Sequence, residues 1–240
     1  MSRGKQSDEF YNLKENFVGY QQSFDFYPTP DTCINIIMKD MKNIIKEYFE
    51  YDELDFLEPN AGVGGFLKGL IDHKEDLKIK SITALEISPP FVEILKENYK
   101  IDYIQQTDFL KWNSKEEYKF IVMNPPFRDY VDYQGKRKTY DAWLFHLYKA
   151  LLLPFKLDKY IYIILPDGPR TDDLFNYNIK LSPMEKDLMK TKYKIDYKDL
   201  PDYQIEELGK CDNFIKFNIR GKPSKMGLRC KILRILAYGG

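Results

Sequence analysis

Four residues of this chain combine an unusual order with a defined chemistry: Asn124-Pro125-Pro126-Phe127, which follow directly on the apolar run Phe120-Ile121-Val122-Met123. An amino group conjugated with a ring is a poor nucleophile, because its lone pair is spread into the π system. Two acceptors held side by side correct this. The Asn124 side-chain oxygen and the Pro125 carbonyl can take the two amino hydrogens and draw the nitrogen toward a tetrahedral shape, with its lone pair aimed at an electrophile. The paired prolines, Pro125 and Pro126, fix φ and keep the carbonyls turned outward. Phe127 offers a face on which a ring can stack. Without that chemistry, the same four residues would be a Pro-Pro strand terminator followed by a loop aromatic.

A second cluster lies upstream, in Phe56-Leu57-Glu58-Pro59-Asn60-Ala61-Gly62-Val63-Gly64-Gly65-Phe66, where an apolar run breaks into a glycine-rich turn. Glycines there let the backbone pass close to a nucleotide-like ligand at the carboxyl edge of a sheet. A tight strand-to-helix turn with no ligand has the same composition. Gly62 and Gly64 lack the third glycine that a dinucleotide fingerprint places at a fixed offset, which excludes that class. The next apolar run ends in Ala84-Leu85-Glu86, and a carboxylate at the end of a second strand can accept both hydroxyls of a ribose. Further on, Asp108-Phe109 supplies an acceptor for an adenine amino group and a ring for its face.

Regular elements must deliver these residues, and the apolar pattern supplies them. Pro28 and Pro30 bracket the start of a helix over 31–49, where Ile34, Ile37, Met38, Met41, Ile45 and Tyr48 recur at helical spacing. Strands follow at 54–58, 81–87, 103–106, 120–123 and 160–165, alternating with helices at 65–73, 89–98 and 140–153. This alternation predicts a mostly parallel sheet covered on both faces. Ser182, Pro183 and Glu185 form a capping-box start for a helix reaching about Lys192. Two late apolar stretches, 203–208 and 214–219, are separated by Gly209 to Asn213 and read as an antiparallel hairpin at the sheet edge.

At 240 residues, 43% of them hydrophobic and 31% charged, the chain has room for one well-buried α/β domain. We divide it into an N-terminal arm (1–23), a catalytic domain (24–220) and a basic C-terminal tail (221–240). No apolar run approaches the roughly 20 residues of a membrane helix, and residues 1–12 are too polar for a secretory signal; the expected location is cytoplasmic. Cys33, Cys211 and Cys230 form no CxxC pair, and with only His73 and His146 beside them no metal site is expected. Cys33, on the apolar helix face, reads as a buried free thiol. The 37 basic and 37 acidic residues cancel, so a nucleic-acid surface would have to be local.

Together these motifs resemble the class I S-adenosylmethionine-dependent amino-methyltransferases, and among them the N6-adenine DNA methyltransferases, over about residues 24–166. The resemblance implies a Rossmann-like sandwich of seven strands with an antiparallel last strand, S-adenosyl-L-methionine as cofactor, and DNA as partner. Phe26-Tyr27-Pro28-Thr29-Pro30 looks like the family's N-terminal motif beside the methionine end of the cofactor, which assigns Tyr27, Thr29 and Pro30 to that end. Glu58, Asn60, Gly62 and Gly64 match the glycine-rich motif. Glu86 with Ile87 matches the ribose-binding strand end, Asp108 and Phe109 the adenine-binding pair, and Asn124 to Phe127 the catalytic motif, with Asn124 also beside the cofactor. Such DNA enzymes usually carry a sizeable target-recognition domain, whereas only about seventy residues follow Pro166; specificity then resides in loops or in a partner subunit.

Ribosomal RNA base methyltransferases and protein glutamine methyltransferases use the same acceptor pair, N4 of cytosine is a related target, and a non-catalytic methyltransferase-like subunit is a further alternative. The segment Arg128 to Lys138, with the basic triplet Lys136-Arg137-Lys138 and two tyrosines, begins beside Phe127. It is expected to be a mobile loop that closes over the DNA backbone next to a base flipped out of the duplex, with Phe127 and Arg128 among its contacts. A solvated surface loop would look the same.

Overall fold

A computed structural model describes residues 29–214 and 228–239. The arm of residues 1–23, Tyr27 and its two neighbours, and residues 215–227 lie outside the described residues. The expected alternation appears as α1 (Asp31–Tyr48), β1 (Leu54–Glu58), α2 (Gly65–Asp72), β2 (Ile79–Glu86), α3 (Pro89–Asn98), β3 (Tyr103–Gln106) and β4 (Phe120–Met123). A hairpin of β5 (Asp129–Tyr133) and β6 (Lys136–Tyr140) comes next, then α4 (Ala142–Leu152), β7 (Lys159–Pro166) and α5 (Pro169–Phe175). The chain continues as α6 (Pro183–Asp187), a π-helical turn (Leu188–Tyr193), β8 (Tyr203–Phe214) and β9 (Leu228–Ala237).

Seven strands form one sheet in the order β3-β2-β1-β4-β7-β9-β8. The first five are mutually parallel, and β9 runs antiparallel to both of its neighbours. The predicted Rossmann-like sandwich, mostly parallel with an antiparallel hairpin at one side, is therefore the observed architecture. Side-chain alternation divides the buried strand residues between two cores. Phe56, Phe120, Val122, Tyr162 and Ile164 face α1, α2 and α3, while Leu57, Ile121, Met123, Ile161 and Ile163 face α4 and the segment from α5 to the π turn. Apolar residues on both faces make β4 and β7 continuous hydrophobic runs, as the sequence of a central parallel strand requires.

Three expectations need correction. The late hairpin exists, but its strands differ from those read in the sequence. Gly209 to Asn213 are not its turn; they lie within β8, where the register slips between Glu207 and Gly209 and again between Cys211 and Phe214. Residues with turn chemistry are here accommodated as bulges. The partner is β9, part of the segment assigned to a basic tail, and it lies inside the sheet between β7 and β8. Its three cations, Arg229, Lys231 and Arg234, hid it. Lys231 reaches Asp172 at 2.6 Å, and Arg234 reaches Asp40 of α1 at 2.7 Å, so these two charges are paired on the sheet faces while Ile232, Leu233 and Ile235 are buried.

The third correction concerns the segment after the Asn-Pro-Pro-Phe motif, which is a folded hairpin and not an open loop. Gln134 (φ 52°) and Gly135 (φ 72°) both occupy the left-handed region, the conformation of a two-residue turn matched to strand twist. The three cysteines, distant in sequence, meet in the fold. Cys211 lies opposite Cys230 across β8 and β9, and hydrogen bonding to Cys211 together with burial pushes the Cys33 thiol pKa upward. All three are buried thiols that form no disulfide among the described residues, as inferred for Cys33. No helix among the described residues is long and apolar enough to cross a membrane.

The C-terminus of α4, which packs against β7, is closed by Lys159. Its Nζ donates to the carbonyls of Ala150 (2.7 Å), Leu151 (3.0 Å) and Leu153 (2.9 Å), and it lies 4.2 Å from the Phe155 ring centroid. Burial draws its pKa down to about 7. Three carbonyls at the negative end of a helix, one for each ammonium hydrogen, oppose that loss. Lys159→Met should strand three buried acceptors and cost roughly 2–3 kcal/mol, read as a lowered denaturation midpoint; an unchanged midpoint would contradict this role.

Candidate active site

Because β3, β2, β1 and β4 run in parallel, their carboxyl ends share one edge. Glu58 pairs with Ala84 while Leu57 pairs with Ile121, and Glu86 pairs with Gln106, so Glu58, Glu86, Asp108 and Asn124 all follow or end strands at that edge. The strand order reverses between β1 and β4, which opens the crevice where ligands of such sheets bind.

Glu86 organises the first half of the edge. One carboxylate oxygen accepts from the Gly62 N–H and the other from the Ser88 N–H, each at 2.7 Å, which ties the glycine-rich turn after β1 to the loop after β2. Burial raises its pKa to about 6 against the lowering effect of these backbone donors. Glu58 is 1% exposed, and burial followed by the neighbouring Glu86 charge pushes its pKa well above the usual carboxylate range. Among the described residues, its Oε2 and the Asn60 Oδ1 are buried without a hydrogen-bond partner. Two orphaned acceptors in one turn suit a ligand that brings hydrogen-bond donors or a positive charge.

The glycines of the turn have different reasons for their presence. Gly62 (φ 55°) and Gly64 (φ 90°) both adopt left-handed backbone, and Gly64 caps α2. A Cβ at Gly64 would sit 2.2 Å from Cε2 of Tyr99, so a side chain is excluded there by the Tyr99 ring, where the sequence suggested close approach of a ligand. Ile87, directly after Glu86, is 41% exposed, an apolar surface left open beside the carboxylate. Asp108 caps the turn after β3 by accepting from Leu110 N at 3.0 Å and pairs with Lys111 at 3.2 Å.

The second half of the edge carries the acceptor motif. The Asn124 Nδ2 donates to Thr29 Oγ1 at 3.2 Å, which turns the amide about its axis and makes the oxygen its acceptor end. This link joins Thr29 to the Asn-Pro-Pro-Phe motif across 95 residues, a pairing with no local signature in the chain. Pro30 stands beside Thr29 as the N-cap of α1, and its carbonyl accepts from the N–H groups of Cys33 and Ile34. Pro125 is buried and Pro126 partly so.

Two aromatic residues depart from expectation. Phe127 is 5% exposed and belongs to the core cluster of α1, and Phe109 is 2% exposed, 5.8 Å from the His146 ring. Neither ring presents a free face to a ligand. Each follows its strand closely enough for its side chain to fold back into the core, where burial of a phenyl group stabilises by about 2 kcal/mol. Sequence reasoning also missed Asp141, which lies 3.7 Å from Arg128 Nε and 3.1 Å from Arg170; Arg170 in turn reaches the buried Glu185 at 2.9 Å. Arg128 is itself exposed, as are Lys136, Arg137 and Lys138 on the hairpin.

No family model matches the chain. A stretch of 90 residues, 37% of the chain, is 30% identical to the type II methyltransferase M.CvrRI of Paramecium bursaria Chlorella virus XZ-6E, and it spans 23% of that curated relative's length. Among solved structures, a Listeria monocytogenes protein assigned to the class I S-adenosylmethionine-dependent methyltransferases superposes with a TM-score of 0.58 at 15% identity over 98% of this chain and 68% of its own. A Pyrococcus horikoshii protein assigned as an RNA methyltransferase gives 0.53 at 15% identity over 99% of this chain and all of its own. A modification subunit assigned to a type I restriction enzyme of Vibrio vulnificus gives 0.53 at 15% identity over 98% of this chain and 48% of its own. The fold of the chain is thus the Rossmann-like sandwich of class I methyltransferases.

Proposed function

We propose that this chain transfers a methyl group from S-adenosylmethionine to the N6 amino group of adenine in DNA. The observation that carries the reading is the Asn124 amide, held by Thr29 with its oxygen as the acceptor end, at the carboxyl edge next to the turn of Glu58, Asn60 and Gly62. The stretch shared with a type II methyltransferase favours DNA over the other conjugated amino groups that such a motif could serve.

The orphaned acceptors suit this cofactor. Glu58 Oε2 and Asn60 Oδ1 would take the ammonium of its methionine end, with Thr29 and Pro30 at that end and Tyr27 before them in the chain. Glu86 would accept the ribose hydroxyls with its remaining lone pairs. Ile87 would cover one face of the adenine, and Asp108 would accept its amino group. Phe109 supports that site from within the core. When bound, the cofactor supplies an electrophilic methyl on a sulfonium.

The work of the chain is to prepare the nucleophile. The Asn124 oxygen and the Pro125 carbonyl accept the two hydrogens of the target amine, which concentrates its lone pair on nitrogen. They also stabilise the positive charge that develops there during transfer. Pro126 holds the backbone of the motif, and the buried Phe127 anchors it. A base stacked inside a duplex cannot reach this edge, so the target must be flipped out, at a cost of a few kcal/mol.

Two measurements check these assignments. Asn124→Ala should bind S-adenosylmethionine with nearly unchanged affinity in calorimetry yet methylate at least ~100-fold more slowly, a loss of ~2.7 kcal/mol in transition-state stabilisation. Unchanged turnover would remove Asn124 from the chemistry. Glu86 accepts ribose hydroxyls best as the carboxylate, and its pKa is about 6. The contribution of Glu86 to cofactor affinity should therefore be constant above neutral pH and fall as pH drops through 6, by up to tenfold per unit. Glu86→Gln should bind more weakly and lose that part of the pH dependence; an identical pH profile in the variant would refute the assignment.

A further inference from the structure

The β5–β6 hairpin has two unlike faces. Its register pairs Tyr130 with Thr139 and Asp132 with Arg137, so these four side chains share one face; Asp129, Val131, Tyr133, Lys136, Lys138 and Tyr140 share the other. The second face is the anchored one. Val131 packs against the core, and the buried Tyr140 hydroxyl donates to Asp129 at 3.1 Å and contacts the Tyr193 hydroxyl at 3.0 Å. The first face is exposed throughout, with Tyr130 at 50% exposure.

On that exposed face the Arg137 guanidinium lies over the Tyr130 ring, 4.3 Å from its centroid. Among the described residues no carboxylate lies within ion-pair range of it. Stacking fixes the plane of the guanidinium and leaves its donor fork open at the edge. Lys136 and Lys138 are different: they sit on the opposite face near the tip, and Lys138 rests 5.5 Å from the Tyr133 ring centroid. The basic triplet thus consists of one oriented fork and two flanking point charges.

We infer that this hairpin is a groove-reading ribbon, and that the Arg137 fork, held by Tyr130, reads a guanine edge in the major groove of duplex DNA beside the methylated adenine, while Lys136 and Lys138 contact phosphates. A five-residue strand extends about 17 Å, more than the roughly 8.5 Å depth of that groove, whose width admits a two-stranded ribbon. The deep, narrow major groove of an RNA duplex does not admit it. The segment Arg128 to Lys138 carries four cations against two carboxylates in a chain with no net charge, which matches a polyanion. Planar bidentate recognition of guanine O6 and N7 is what an arginine fork offers and a lysine does not. The hairpin begins two residues after Phe127, so it would lie next to the base entering the site. The inference rests on the proposed methylation of DNA.

The test is methylation of a duplex library with randomised sequence around adenine, with modified positions read by sequencing. For the parent protein we expect a preferred sequence with guanine at one fixed position. Arg137→Lys, which keeps the charge and the fold but not the fork, should lose that guanine preference by about tenfold or more while keeping the salt dependence of binding. Tyr130→Ala should weaken the same preference. The pair Lys136→Ala and Lys138→Ala should keep the preferred sequence but bind every duplex more weakly, with a shallower salt slope. DNA methylation whose sequence preference is absent, or is unchanged in Arg137→Lys, overturns the ribbon and leaves the methyltransferase reading intact. Methylation of RNA or protein with none of DNA overturns both.

Discussion

One buried carboxylate holds the ligand edge of this protein together. Glu86 receives N–H groups from the turn after β1 and from the loop after β2, and so fixes the distance between the two segments that a nucleoside would have to bridge. Burial makes this costly, as the raised pKa records, and the backbone donors offset part of the cost. A second acid, Glu58, is pushed to a higher pKa by its burial and by that neighbouring charge. Both shifts arise from the environment alone, and at Glu86 the backbone donors oppose the rise. Among the described residues the Glu58 Oε2 is buried without a hydrogen-bond partner, which suits a ligand that brings hydrogen-bond donors.

Positioning of that edge depends on the sheet behind it. Alternate residues of β4 and β7 enter opposite cores, so the strands cannot rotate without exposing one of them. Lys159 closes α4 against the sheet, and Tyr162 and Arg234 both bind Asp40, which fixes α1 to the strands from the other side. Thr29, just before α1, is in this way brought to Asn124. The orientation of one amide at the site is consequently a product of packing on both faces.

Much of this was legible in the chain, because strand-turn motifs carry their own local geometry. Glu58, Gly62, Glu86 and Asn124 each end or follow an apolar run, and a parallel sheet necessarily gathers such ends at one edge. What could not be read depends on tertiary partners. Whether Phe109 and Phe127 face a ligand or the core is decided by the helices beneath them, not by their position after a strand. β9 escaped because Lys231 and Arg234 suggest a solvated segment unless Asp172 and Asp40 are known to lie opposite. The β5–β6 hairpin escaped because its turn uses Gln134 at positive φ, a residue with no strong turn signature. The bond from Thr29 to Asn124 has no periodicity that could announce it.

The acceptor pair proposed for Asn124 and Pro125 could serve several conjugated amines, and the identity of the modified atom decides among them. Incubation of the protein with isotope-labelled S-adenosylmethionine and, in parallel, duplex DNA, RNA and protein, followed by nucleoside and amino-acid analysis, measures it directly. The account predicts label in DNA, recovered as N6-methyladenine. Label recovered only from RNA or protein, or from DNA at an atom other than N6 of adenine, would contradict it.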